Sequence, residues 1–187
     1  GQPLARAIVW QDRRTAPGCD ALRAAGHEEA VRAATGLLLD PYFSATKMRW
    51  LIDHVPAVAA AAGRDTLALG TVESWLVWNL TGGAHLSDAS NASRTLLLPL
   101  AGANWDEGLC ALFGVPRAAL PEVVDTHGAL AATAPALFGA AIPIAGLAGD
   151  QQAATIGQNC LAPGATKATF GTGAFVLSST GAQVPRS

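Results

Sequence analysis

The chain has 187 residues, enough for one good-sized domain or for one domain and part of another. Half of them are apolar and 14% are charged, against roughly 25% in an average soluble domain, which argues against intrinsic disorder and for a chain that buries much of its surface. A net charge of −2 with scattered basic residues leaves no electrostatic footprint for nucleic acid.

The opening Gly1-Gln2-Pro3-Leu4-Ala5-Arg6 has no apolar signal-peptide core and no initiator Met, and it reads as a cut inside a longer protein. Ala7-Ile8-Val9-Trp10 is an apolar run fit for a buried strand, followed by a polar cluster through Thr15. Ala16-Pro17-Gly18 predicts a turn, and Cys19 to Thr35, rich in Ala, Arg and Glu, predicts one helix. Asp40-Pro41 marks a break, since the residue before proline is biased away from helix. Met48, Leu51, Ile52 and Val55 give Ser44 to His54 helical spacing. Thr71 to Leu80 repeats it, with Val72, Trp75, Leu76 and Leu80 on one apolar face and Thr81-Gly82-Gly83 as the stop.

Asn104 with Glu107 three residues later predicts a capped helix through about Phe113. Ile142 to Leu147 is the clearest buried strand, running into Ala148-Gly149-Asp150 and a helix from about Gln151 to Gln158. Beyond Pro163-Gly164, Thr166 to Phe170 and Ala174 to Ser179 form a hairpin joined by Gly171-Thr172-Gly173. Interleaved strands and helices predict an α/β or mixed α+β architecture.

The clearest chemical candidate is Asp150, at the carboxyl end of a strand and the start of a helix, where ligand sites of open α/β sheets gather. The positive end of a helix holds a carboxylate ionised, although a plain N-cap would explain a Gly-Asp-Gln as well. Gly171-Thr172-Gly173 could bring backbone N–H groups and a hydroxyl close to a phosphate, or be an ordinary hairpin turn. Trp10 and Tyr42 offer large faces with polar tips next to turn clusters, or simple core packing. His27, His54, His85 and His127 have no ligand spacing, and Cys19, Cys110 and Cys160 fit neither a zinc site nor a disulfide framework. Reduced thiols of a cytoplasmic protein are the plain reading, and no apolar stretch is long enough to span a bilayer.

Taken in order, these segments resemble the FGGY carbohydrate kinases, in the branch that acts on glycerol. The likeness is carried by Ala7 to Thr15, Asp40-Pro41-Tyr42-Phe43-Ser44-Ala45-Thr46-Lys47, Gly70 to Leu76, Asn79 to Gly83 and Ser90-Asn91-Ala92-Ser93-Arg94-Thr95. Ala148-Gly149-Asp150-Gln151-Gln152 and Phe170-Gly171-Thr172-Gly173-Ala174-Phe175 complete it.

The resemblance implies a ribonuclease-H-like, actin-like ATPase fold of two domains. Residues 1–157 would be the later part of the N-terminal, polyol-binding domain, and 158–187 the start of the C-terminal, nucleotide-binding domain. It implies ATP and Mg²⁺ as cofactors, glycerol as substrate, and a homo-oligomer, dimer or tetramer, when full length, with no nucleic-acid or membrane partner. On matching positions Asp150 would be the catalytic base and would also bind polyol, together with Tyr42 and Gln151. Trp10 and Phe175 would wall the pocket, and Gly171 and Thr172 would contact nucleotide phosphates; no residue is assigned to a metal. The family's DxGTT phosphate loop, its Arg-Glu polyol pair and most of its adenine site have no counterpart in the sequence, so the chain alone is expected to be inactive. A kinase for another polyol or a ketose, or a non-catalytic ligand-binding member, are the competing readings.

Overall fold

Prolines and glycines set most of the helix ends. The computed structural model of the chain describes residues 1–184. Helix α1 (Ala16–Ala24) carries Pro17 in its first turn, where a missing N–H costs nothing, so the expected turn at 16–18 is the helix start itself. The single helix expected over Cys19 to Thr35 is broken. Gly26 takes φ +84°, a left-handed conformation, and α2 (Glu28–Thr35) begins afresh after it. Helices α3 (Ser44–His54) and α4 (Pro56–Ala62) meet at Val55, which ends one and precedes the other because Pro56 cannot continue a helix. Helix α5 (Val72–Thr81) stops at Gly82, as its sequence predicts.

The apolar stripe read on α5 is not its buried face. Val72 is 72% exposed and Leu76 55%, whereas Glu73, Ser74 and Val77 are buried. Val77 is almost fully buried on that face, and hydrogen bonds hold the buried Glu73 carboxylate. One carboxylate oxygen of Glu73 accepts from the Ser87 hydroxyl and the Asp88 N–H, both at 2.9 Å, and the other accepts from the Asn91 amide at 2.8 Å. Ser87 and Asp88 lie on β1 (Leu86–Asp88), which pairs in parallel with β2 (Glu122–Val124). Asp88 then caps the short α6 (Ala89–Ala92), accepting from Asn91 N at 3.0 Å, and receives the Thr126 hydroxyl at 2.8 Å.

Helix α7 (Glu107–Phe113) is capped by Asp106, whose carboxylate accepts from Leu109 N at 2.7 Å. The cap therefore sits two residues after the Asn104 expected to supply it. β3 (His127–Ala132) pairs antiparallel with β4 (Pro143–Gly146) around α8 (Pro135–Phe138), with a register shift between His127 and Ala131. The strand expected at Ile142 to Leu147 is present but mostly exposed, because its sheet has two strands and Ile142 itself is 48% exposed. The buried strand expected at Ala7 to Trp10 is absent: the segment is irregular, Val9 is 56% exposed, and no described residue offers it a ladder.

The chain divides into two compact units, Gly1–Leu147 and Ala148–Ser187. The core of the first is built from residues such as Val31, Leu39, Ala45, Leu96 and Leu97, none with any exposed surface. In the second, α9 (Asp150–Gly157) packs on the hairpin of β5 (Thr166–Phe170) and β6 (Ala174–Ser178), paired from Thr166 opposite Ser178 to Phe170 opposite Ala174. This hairpin matches the sequence expectation to within one residue.

Candidate functional site

In the first unit, Trp10 and Tyr42 come together although 32 positions separate them. Asp40 accepts a hydrogen bond from the Tyr42 N–H at 2.8 Å, a local turn that ends where Phe43 leads into α3. The Tyr42 ring lies 5.7 Å from Trp10, tilted by 60°, and 5.1 Å from Phe43, edge-on at 83°. All three rings keep partial exposure, so the patch is an accessible aromatic surface.

Cations surround that patch. The Lys47 ammonium, buried on α3, reaches the Trp10 carbonyl oxygen at 3.4 Å. Burial pulls its pKa below the usual lysine range, with Asp12 and Asp40 opposing the shift. Asp12 is held down to about 2, first by the Arg14 side chain bonded to it and then by the Arg14 N–H. The Arg94 guanidinium lies 5.4 Å over the Phe43 ring, and burial depresses its pKa against the favourable field of Tyr42.

The second unit carries the carboxylate. Asp150 is the first residue of α9, and Gly149, which precedes it, makes no side-chain cap. The Asp150 side chain is exposed, and its Oδ2 accepts from Gln151 Nε2 at 3.0 Å. An ordinary N-cap, the plainer reading of this aspartate, is thereby set aside. Gly149 holds the cap position and Asp150 is the first residue inside the helix.

On the hairpin, Gly171, Thr172 and Gly173 form the connection, with Gly171 and Thr172 exposed and Gly173 half-buried, and Gly171 N donates to Gly173 O at 2.9 Å. A Cβ placed on Gly173 would sit 2.9 Å from the Phe175 ring, so glycine at this position lets the aromatic side chain fold back against the turn. Phe175 shares one face of the hairpin with Thr169, Lys167 and Leu177, as their register dictates. That face packs on α9, while Phe170 and Val176 point the other way and are exposed.

Sequence reading missed Lys167. Its side chain is 2% exposed, and the ammonium donates to Gln151 Oε1 and, at 2.8 Å, to Thr169 Oγ1. The available signal was the period of two in Thr166-Lys167-Ala168-Thr169-Phe170, which puts the lysine on the covered face. Among the described residues no three His, Cys, Asp or Glu side chains gather as a metal site, and no helix is long and apolar enough to cross a membrane.

The second unit thus presents an exposed carboxylate at the start of a helix that packs on a hairpin with a glycine-bounded turn. Residues 1–157 match the FGGY family of carbohydrate kinases, N-terminal domain, and the chain belongs to that family. It is 59% identical over 183 residues to a glycerol kinase of Aromatoleum aromaticum, covering 97% of this chain and 37% of that protein. A glycerol kinase of Rhodospirillum rubrum is 59% identical over 178 residues, covering 95% of this chain and 36% of the relative. The chain thus spans little more than a third of the curated relatives it matches.

Among solved structures, Plasmodium falciparum glycerol kinase with ADP superposes with a TM-score of 0.89 at 35% identity, over 94% of this chain and 35% of that one. A xylulose kinase from Rhodospirillum rubrum gives 0.79 at 27% identity, over 91% and 35%. The fold is accordingly the ribonuclease-H-like, actin-like fold of these sugar kinases, mixed in helix and sheet as the sequence predicted.

Proposed function

We propose that the polypeptide containing this chain transfers the terminal phosphoryl group of ATP to glycerol. The observation that carries the proposal is 59% identity, over 97% of the chain, to a protein named glycerol kinase. The exposed Asp150 carboxylate at the start of α9 supports it chemically. A ketose kinase is the competing reading, and its structural relative is less similar at 27% identity.

In this reading Asp150 is the base for the attacking hydroxyl. An alcohol is about as weak an acid as water, with a pKa of roughly 15.7, so no carboxylate removes its proton in the ground state. Asp150 instead orients the oxygen and receives the proton late, as the bond to phosphorus forms in a loose transition state. Gln151 and Tyr42 supply further hydrogen bonds to the polyol, Trp10 and Phe175 cover its C–H faces, and Gly171 with Thr172 meets the nucleotide phosphates. Mg²⁺ would neutralise charge on those phosphates, and no residue of this chain is assigned to it.

By the same reading, residues 1–157 belong to the polyol-binding domain and 158–187 open the nucleotide-binding one, in a cytoplasmic homo-oligomer. Light scattering on the whole enzyme checks the assembly. A substrate panel with MgATP tests the function: glycerol should give the highest kcat/KM, and a higher value for a five-carbon ketose would overturn the assignment.

A further inference from the structure

The least expected side chain in the second unit is a buried ammonium with no carboxylate against it among the described residues. Lys167 is 2% exposed, and its ammonium donates to two neutral acceptors, Gln151 Oε1 and Thr169 Oγ1. An ammonium taken out of water costs several kcal/mol unless its donors are satisfied, so a fold that needed only to fill this space would do better with an apolar residue. The placement makes sense through Gln151. A glutamine amide fits its surroundings almost equally well in two orientations related by a half-turn, one presenting oxygen and one presenting N–H groups. A cation on one side permits only the orientation with Oε1 toward it. The opposite edge then presents N–H, and Nε2 of Gln151 does donate to Asp150 Oδ2 at 3.0 Å.

We infer that Lys167 is a positioning residue for the catalytic carboxylate: by fixing the amide of Gln151, it holds Asp150 with one oxygen occupied and the other free for the attacking hydroxyl. The inference rests on the kinase reading above. Thr169 belongs to the same device, since its hydroxyl accepts from the ammonium and fixes where it points. With Lys167 replaced by an apolar chain, Gln151 Oε1 loses the donor that pins it, so only the carboxylate itself would orient the amide, and the pair would be left mobile.

The test is a double-mutant cycle in the whole enzyme, assayed with glycerol and MgATP. Lys167→Met keeps length and removes the charge. It should lower kcat about tenfold or more while the melting temperature stays within a few degrees of wild type. In a Gln151→Met background the same change should cost nothing further, because the amide it orients is gone. Losses that multiply in the double variant, or a single-variant kcat within about threefold of wild type, would overturn the inference. Should Lys167→Met not give folded enzyme, Thr169→Val loosens the ammonium and is put through the same cycle, where the same two outcomes support or overturn the inference. Wild-type enzyme that phosphorylates no polyol would sink the kinase reading and this inference with it; active wild type with multiplying losses sinks this inference alone.

Discussion

Glu73 and Asp88 show how one hydrogen-bond network can push two carboxylates in opposite directions. Burial lifts the pKa of Glu73 above the usual glutamate range, and the bonds from Asp88 N and Ser87 counter it only partly. The folded protein therefore binds this proton more tightly than the unfolded chain does. Its contribution to stability is full below the unfolded pKa and fades as pH rises through the folded one. For Asp88, burial also pushes upward, but donors from Asn91, Ser90 and Thr126 outweigh it and hold the carboxyl below its usual value. Its contribution is full above the unfolded pKa and fades as pH falls through the folded one. Melting temperature followed against pH should lose the fall that begins as pH rises past the ordinary glutamate range in Glu73→Gln, and the fall at low pH in Asp88→Asn; unchanged slopes would show that other groups set them. Glu73→Ala, which strips acceptors from Ser87, Asp88 N and Asn91, should cost about 3 kcal/mol by denaturant unfolding. The proposed base Asp150 behaves differently because it is exposed: Asp150→Asn should leave folding intact and glycerol affinity largely so, and lower kcat at least about a hundredfold. A turnover within a few-fold of wild type would remove it from the role of base.

Elements were legible in the sequence where a local rule decides them. Asp40-Pro41, Gly82 and the Gly171-to-Gly173 connection punctuate the chain through backbone conformation alone, and the structure breaks or turns at each. What depends on distant partners was not legible. Nothing in Leu86-Ser87-Asp88 announces a strand, because its pairing partner Glu122–Val124 lies far along the chain. His127 to Ala132 is alanine-rich and weak in β propensity, yet it pairs with Pro143–Gly146. The face of α5 was read from apolar spacing, and its partner was instead a network of hydroxyls and carboxylates. The cap of α7 is a finer case, since Asn104 and Asp106 are both good capping residues. Asp106 takes the role, so Asp106→Ala should lose about 1 kcal/mol, whereas Asn104→Ala should change stability by less than about 0.5 kcal/mol. Urea unfolding of the two variants separates them, and equal losses would restore the box expected at Asn104.

For the whole molecule, the residues proposed to act together are divided between two compact units. Trp10 and Tyr42 belong to Gly1–Leu147, while Asp150, Gln151, Gly171, Thr172 and Phe175 belong to Ala148–Ser187. Chain order made each of them visible by motif, but the lock on Gln151 was hidden, because a lysine in a strand reads as a surface residue until its face is known to be covered. In the proposed site, the second unit would offer a nucleotide one three-residue turn, with a threonine hydroxyl and a few N–H groups. A turn of that size can meet a phosphate but has no surface to bury a purine, and burial of the base supplies much of the affinity of a nucleotide pocket. The glycerol kinase of Aromatoleum aromaticum, of which this chain covers 37%, has ample further length to provide one. The 187-residue polypeptide prepared alone should therefore give no calorimetric signal with MgATP at micromolar concentration and no turnover with glycerol. Intact mass near 19.0 kDa confirms that the species in the cell is this chain. Micromolar ATP binding by that species would show that the nucleotide site is carried by these residues after all, and the division of labour between two domains would have to be abandoned.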